Sequence, residues 1–141
     1  MKDLTILRGH GKGGVPEPFQ SIVLSRGELW TIVGNTGSGK SRLIKDIEQL
    51  SDGDSVTGRH VLLDGAAVPI DCRQRESTRL VAHLGQNMRF VLDTTVEDFL
   101  TLHAQCREKA ISPAAVLELA NDITPEPVFA SHNLNQLSGG Q

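Results

Sequence analysis

Gly34-Asn35-Thr36-Gly37-Ser38-Gly39-Lys40-Ser41 constrains this chain more than any other stretch. It follows Leu29-Trp30-Thr31-Ile32-Val33, a run apolar enough to be buried on both faces as a parallel strand, with Trp30 in the core. It precedes Leu43, Ile44, Ile47 and Leu50, which recur at helical spacing with Arg42, Lys45, Asp46 and Glu48 between them. A strand, a glycine-rich turn and a helix in that order build a loop whose backbone N–H groups can wrap a phosphate chain. Glycine tolerates the backbone angles that point those groups inward, and the helix N-terminus adds the positive end of its dipole. Lys40 supplies a point charge for the terminal phosphates, and the Ser41 hydroxyl is a hard oxygen ligand suited to Mg²⁺. The four fixed positions would arise by chance in a chain this long about once in two hundred, so an incidental lysine in a glycine-rich turn is the weaker explanation.

The remainder reads as a mixed core followed by helices. Leu4 to Leu7 is expected to be a strand, and residues 9–18, rich in Gly and Pro, a mobile loop. Ile22 and Leu24 alternate ahead of the turn Ser25-Arg26-Gly27. Val61-Leu62-Leu63 reads as a strand ending in the turn Asp64-Gly65, and Leu80 to Leu84 as another short strand. Thr94 with Glu97 is a capping-box pattern for a helix whose apolar side carries Val96, Phe99, Leu100 and His103. Ser112 followed by Pro113 starts a second helix, turning Val116, Leu117 and Ala120 inward. A division into 1–93 and 94–141 follows.

With 14 basic against 17 acidic residues and no basic run, the chain has no general electrostatic reason to bind nucleic acid or an anionic membrane. Any anion must be held by a local device such as the loop. No apolar stretch approaches the roughly 20 residues of a membrane helix, and Cys72 and Cys106 are too few for a disulfide framework, which points to a reducing compartment.

Two further motifs narrow the field. The chain ends in Leu137-Ser138-Gly139-Gly140-Gln141, and Gln86 lies between this string and the loop, in Leu84-Gly85-Gln86-Asn87 followed by Phe90 and Thr95-Val96-Glu97-Asp98. With these three motifs in this order, the chain resembles an ATP-binding cassette (ABC) ATPase domain over its whole length, nearest to transporter cassettes. The resemblance implies an α/β fold: a P-loop nucleoside triphosphate hydrolase core with an antiparallel β subdomain and a helical subdomain, ending before the Walker B strand. It implies ATP and Mg²⁺ as cofactors. Gly34, Asn35, Thr36, Gly37, Ser38, Gly39, Lys40 and Ser41 would hold the nucleotide, Ser41 and Gln86 the metal, and Lys40 and Gln86 would serve hydrolysis. Leu137, Ser138, Gly139, Gly140 and Gln141 would contact the γ-phosphate held by a second cassette in a head-to-tail dimer. Transmembrane subunits would be the partners, and the location would be cytoplasmic, against the inner face of the membrane. A soluble cassette that remodels a protein, ribosome or DNA partner is the alternative, and the C-terminal string argues against a phosphate-loop kinase.

Two departures stand beside the resemblance. The family usually stacks adenine on an aromatic residue, commonly Tyr, ahead of the loop. This chain has no Tyr, and His10 lies nearest the expected place, with a solvated loop histidine as the alternative. Family members also continue past the string to an Asp, a Glu and a His used in hydrolysis, so the chain is expected to be an N-terminal fragment that binds nucleotide without turning it over.

Overall fold

Strands form where apolar and polar residues alternate, because a period of two sends every second side chain to one face. The computed structural model describes residues 2–75, 80–85, 90–106 and 112–138. In it β1 (Asp3–Leu7), β2 (Ser21–Ser25), β3 (His60–Leu63) and the short β4 (Ala66–Ala67) form an antiparallel sheet in the order β2-β1-β3-β4. The register sets Ile6 opposite both Ile22 and Val61, and Leu4 opposite both Leu24 and Leu63. Two apolar rows therefore cross the same face. Ile6 and Val61 are fully buried, and each contributes about 1.5–3 kcal/mol.

Asp64-Gly65 does more than end a strand. Both residues have positive φ, 50° and 81°, which suits a two-residue hairpin turn of the I′ kind and folds β4 back onto β3. The Asp64 carboxylate accepts the backbone N–H groups of Lys2 and Asp3 at 2.6 and 2.9 Å, tying the start of β1 to the hairpin.

The helix predicted after the glycine-rich turn is α1 (Lys40–Glu48). Its last turn is closed by Leu50 N–H to Ile47 O and Ser51 N–H to Asp46 O, both at 3.0 Å, the paired bonds of a Schellman stop. Leu50 takes the left-handed position there, with φ 47°, at a cost of about 1–2 kcal/mol. Burial offsets that cost, since Leu50 packs with Val61 and Val68 against Leu4, Leu63 and Val81. The C-terminal end of α1 is thus fixed in the core, while its N-terminal end carries the loop.

The periodicity misjudged one face of α1. Asp46, placed among the polar positions, is 1% exposed.

Two expected strands are corrected. Residues 29–33 and 80–84 have no regular structure. Leu29 and Val33 are 96% and 84% exposed, and Trp30 is half exposed rather than in the core, its Nε1 donating to Glu28 at 2.8 Å. A strand needs neighbours to take up its N–H and C=O groups, and no strand among the described residues pairs with either run. Residues 9–18 are likewise better held than expected. His10 N–H donates to Thr57 O at 2.8 Å, Gly11 N–H to Val15 O at 2.8 Å and Glu17 N–H to Gly9 O at 3.1 Å, around a single 3₁₀ turn at Lys12–Gly14.

The chain divides into two compact units, Met1–His83 and Leu84–Gln141. In the first, α2 (Ile70–Gln74) follows the hairpin. In the second, α3 (Val96–Cys106) and α4 (Pro113–Ile123) enclose Val96, Val128 and Leu134, with Phe99, Leu100, Leu117 and Leu137 packed around them. The cap of α3 is one residue later than the Thr94 and Glu97 pair. Asp98 N–H donates to Thr95 Oγ1 at 3.2 Å, and that hydroxyl donates to the Asp98 carboxylate at 2.7 Å. Thr94 lies in the bend before that cap, its carbonyl accepting Leu134 N–H at 3.0 Å. Ser112 is the N-cap of α4 with Pro113 in its first turn, and Val116, Leu117 and Ala120 are its half-buried positions.

Candidate functional site

Lys40 opens α1, and its side chain turns back over the loop that precedes it. Its ammonium donates to Gly34 O at 2.6 Å and Asn35 O at 2.8 Å, and lies 3.4 Å from Ser38 Oγ. A lysine has three N–H donors. Two of them fix the charge above the loop, and the long third contact is the one an anionic oxygen replaces at least cost. Ser38 N–H donates to Asn35 O at 3.1 Å, which closes the turn through Thr36 and Gly37.

Gly37 and Gly39 hold φ of 83° and 93°, where a side chain is strained. Gly39 is also the N-cap of α1 and brings no side-chain cap. An α-helix leaves its first N–H groups without internal acceptors, so these donors, at the positive end of the helix dipole, are available to an anion beside Lys40. Ser41 is exposed on that first turn. Glycines without side chains, a poised ammonium, helix-end donors and a hydroxyl are a donor set that fits a polyphosphate with its Mg²⁺.

Two cavities flank the loop. One, about 740 Å³, runs between Trp30-Thr31-Ile32 and α1, reaching Lys40, Ser41, Ile44 and His83, whose Nδ1 lies 3.0 Å from the Glu48 carboxylate. The other, about 460 Å³, lies between His10-Gly11-Lys12 and Gly37-Ser38-Gly39, with Arg42, Thr57, Arg59 and Glu17 among its lining. His10 is therefore placed on the wall opposite the loop, and its ring lies against Gly58, where an added Cβ would come within 3.3 Å of Nε2.

Beneath the second cavity lies a buried charge network that sequence reasoning missed. Arg59 donates from Nη1 to Asp46 at 2.6 Å and from Nε to Glu17 at 2.9 Å, and its Nη2 pairs with the other Glu17 oxygen. Thr57 Oγ1 donates to Asp46 at 2.7 Å, and Gly9 N–H to Glu17 at 3.0 Å. Asp46 and Arg59 are 1% and 5% exposed. The Arg59 hydrogen bond holds the Glu17 carboxyl below its ordinary value of 4.5 despite the opposing effect of burial, helped by Gly9 N–H. Glu17 in turn raises the Arg59 guanidinium further. No local pattern marks these side chains as partners, because Asp46 and Glu17 precede Arg59 by 13 and 42 residues.

Leu137 and Ser138 belong to the second unit, Leu137 packed against its core and Ser138 exposed. Gln86, Gly139, Gly140 and Gln141 lie outside the described residues. No helix among the described residues is long and apolar enough to cross a membrane.

The family model described as ABC transporter matches residues 20–141. Among curated proteins, the chain is 46% identical over 145 residues to an uncharacterized ABC transporter ATP-binding protein of Methanocaldococcus jannaschii, covering all of this chain and 55% of the relative. It is 36% identical over 124 residues to the zinc import ATP-binding protein ZnuC 2 of Aliivibrio fischeri, covering 86% of this chain and 42% of the relative. It is 30% identical over 140 residues to the methionine import ATP-binding protein MetN 1 of Burkholderia orbicola, covering 93% and 39%. The chain thus spans about half the length, or less, of the curated relatives it matches. No solved structure matches it.

Proposed function

Because the chain belongs to the ABC transporter family, we propose that it binds ATP at Gly34–Ser41 as part of a transporter's nucleotide-binding domain. The observation that carries this is the Lys40 ammonium, bonded to Gly34 and Asn35 carbonyls at the uncapped N-terminus of α1. On this reading the loop N–H groups and Lys40 take the phosphates, and Ser41 with Gln86 would hold Mg²⁺. When bound, the metal neutralises charge across the β- and γ-phosphates. Residues 94–141 form the helical subdomain, whose Leu137–Gln141 string serves the nucleotide of a second cassette in a head-to-tail dimer.

In the whole protein, ATP hydrolysis drives translocation through transmembrane subunits, with this domain on the cytoplasmic side of the membrane. The two ATP-binding relatives are named for import of different cargoes, zinc and methionine, so family membership supports a transporter and leaves the cargo to the membrane partner.

The test is stabilisation by ligand. Mg·ATP at about 100 times its dissociation constant should raise unfolding free energy by about 2.7 kcal/mol, read as a later urea midpoint. Saturating Mg·ATP that leaves the midpoint unchanged would contradict the proposal. GTP should bind within about 100-fold of ATP, because the aromatic ring lining the second cavity is His10, and one ring face stacks on any base.

A further inference from the structure

We infer that Arg59 is a positioning residue. It grips Glu17 and Asp46 at once, holding the wall that carries His10 at a fixed distance from Gly37-Ser38-Gly39, and so sets affinity for the nucleoside part of a nucleotide whose phosphates lie on the loop. The inference rests on the nucleotide site proposed above.

The geometry is that of a brace. Asp46 sits on α1, the helix that begins with Lys40, and Glu17 ends the segment that begins at Gly9 and forms the opposite wall. Arg59 spans them with the planar fork of its guanidinium, two donors on Glu17 and one on Asp46. Lysine would present one point charge and could not hold both carboxylates in fixed directions. The wall is drawn tight against this brace. A Cβ on Gly9 would meet Thr57 O at 2.1 Å and Arg59 Cγ at 2.8 Å. Glu17 is tied to Gly9 twice, its carboxylate accepting Gly9 N–H and its backbone N–H donating to Gly9 O.

The chemistry also argues for a purpose beyond packing. Burying charges costs several kcal/mol per ion, and apolar residues of similar volume often stabilise a core as well or better. Three charges placed between the two walls of a cavity of about 460 Å³, a volume suited to a small ligand, fix a spacing that an apolar contact would leave free to slide. Arg59 and Glu17 are spent on each other, so the ligand's direct contacts fall to the wall and the loop.

The experiment compares Mg·ATP with Mg·tripolyphosphate, which has the phosphates and lacks base and sugar. Affinities are measured by calorimetric titration of the whole chain. Glu17→Gln keeps the side-chain shape and leaves the Asp46 and Arg59 pair intact. Arg59→Lys keeps the charge at Asp46 and removes the fork. Both should weaken ATP binding by about 10-fold while tripolyphosphate changes less than about two-fold, with circular dichroism unchanged. Parallel loss of both ligands would assign the network to general stability, and unchanged affinities for both would remove its role in binding. Either result overturns the inference while leaving the phosphate-loop site standing. A wild-type chain that binds neither ligand would overturn the nucleotide site, and this inference with it.

Discussion

Lys40→Ala is expected to lower affinity for Mg·ATP by at least about 100-fold, or 2.7 kcal/mol. The ammonium is the cation held over the loop by Gly34 O and Asn35 O, and a hydrogen bond to a charged group contributes about 1.5–3 kcal/mol. One such bond to a phosphate oxygen, with the charge itself removed from a site built of neutral N–H groups, accounts for the loss. The fold should survive. The carbonyls that Lys40 now occupies belong to an exposed loop, and they return to water without a buried polar group being stranded. Calorimetric titration of both proteins, with urea unfolding of each as the control, separates lost binding from lost structure. Equal affinities would remove Lys40 from the site.

Arg59→Ala acts in the opposite way, with a large effect on stability. It leaves Asp46, 1% exposed, with the Thr57 hydroxyl as its side-chain hydrogen-bond donor, and it releases Glu17 from its fork. Removing one partner of a buried pair costs about 3–5 kcal/mol, a large part of the 5–15 kcal/mol typical of a whole domain. The urea midpoint at pH 7 should fall accordingly. Arg59→Met combined with Asp46→Leu should recover part of it, since it removes the buried Asp46 charge together with its partner, while Glu17 keeps the bond from Gly9 N–H.

Acid narrows the difference between wild type and Arg59→Ala. Glu17 titrates below 4.5 in the folded chain, chiefly through its bond from Arg59. Its contribution is fully present above the unfolded value and is lost as the pH falls through the folded one. Arg59 stays charged throughout, and His10 adds a weaker attraction to Glu17. A stability gap that widens below pH 4.5 would contradict this assignment of the Glu17 shift.

The loop was legible because its constraints are local. Gly37 and Gly39 stand where φ is positive, Lys40 follows at the first helical position, and Leu43, Ile47 and Leu50 give α1 its period. Alternation placed β2, and short apolar runs bounded by turns placed β1 and β3, for the same reason: these signals lie in neighbours along the chain. Burial between distant segments follows no such rule. Leu29 to Val33 says that something should cover it, and nothing in the run says what does. Asp46 fits a polar face by period, yet Arg59, 13 residues further on, draws it inside. The cap of α3 moved by one residue because Leu134, 40 positions away, claims the Thr94 carbonyl.

Whether the nucleotide sits on the glycine-rich loop is read residue by residue from amide chemical-shift mapping of the ¹⁵N-labelled chain titrated with Mg·ATP. The largest changes should fall on Gly37, Gly39, Lys40 and Ser41, with smaller ones at Gly11 and Lys12 across the cavity. Changes centred instead on the separate cavity around Asp54, Ile70 and Arg73, with Gly37 to Ser41 unmoved, would contradict that placement.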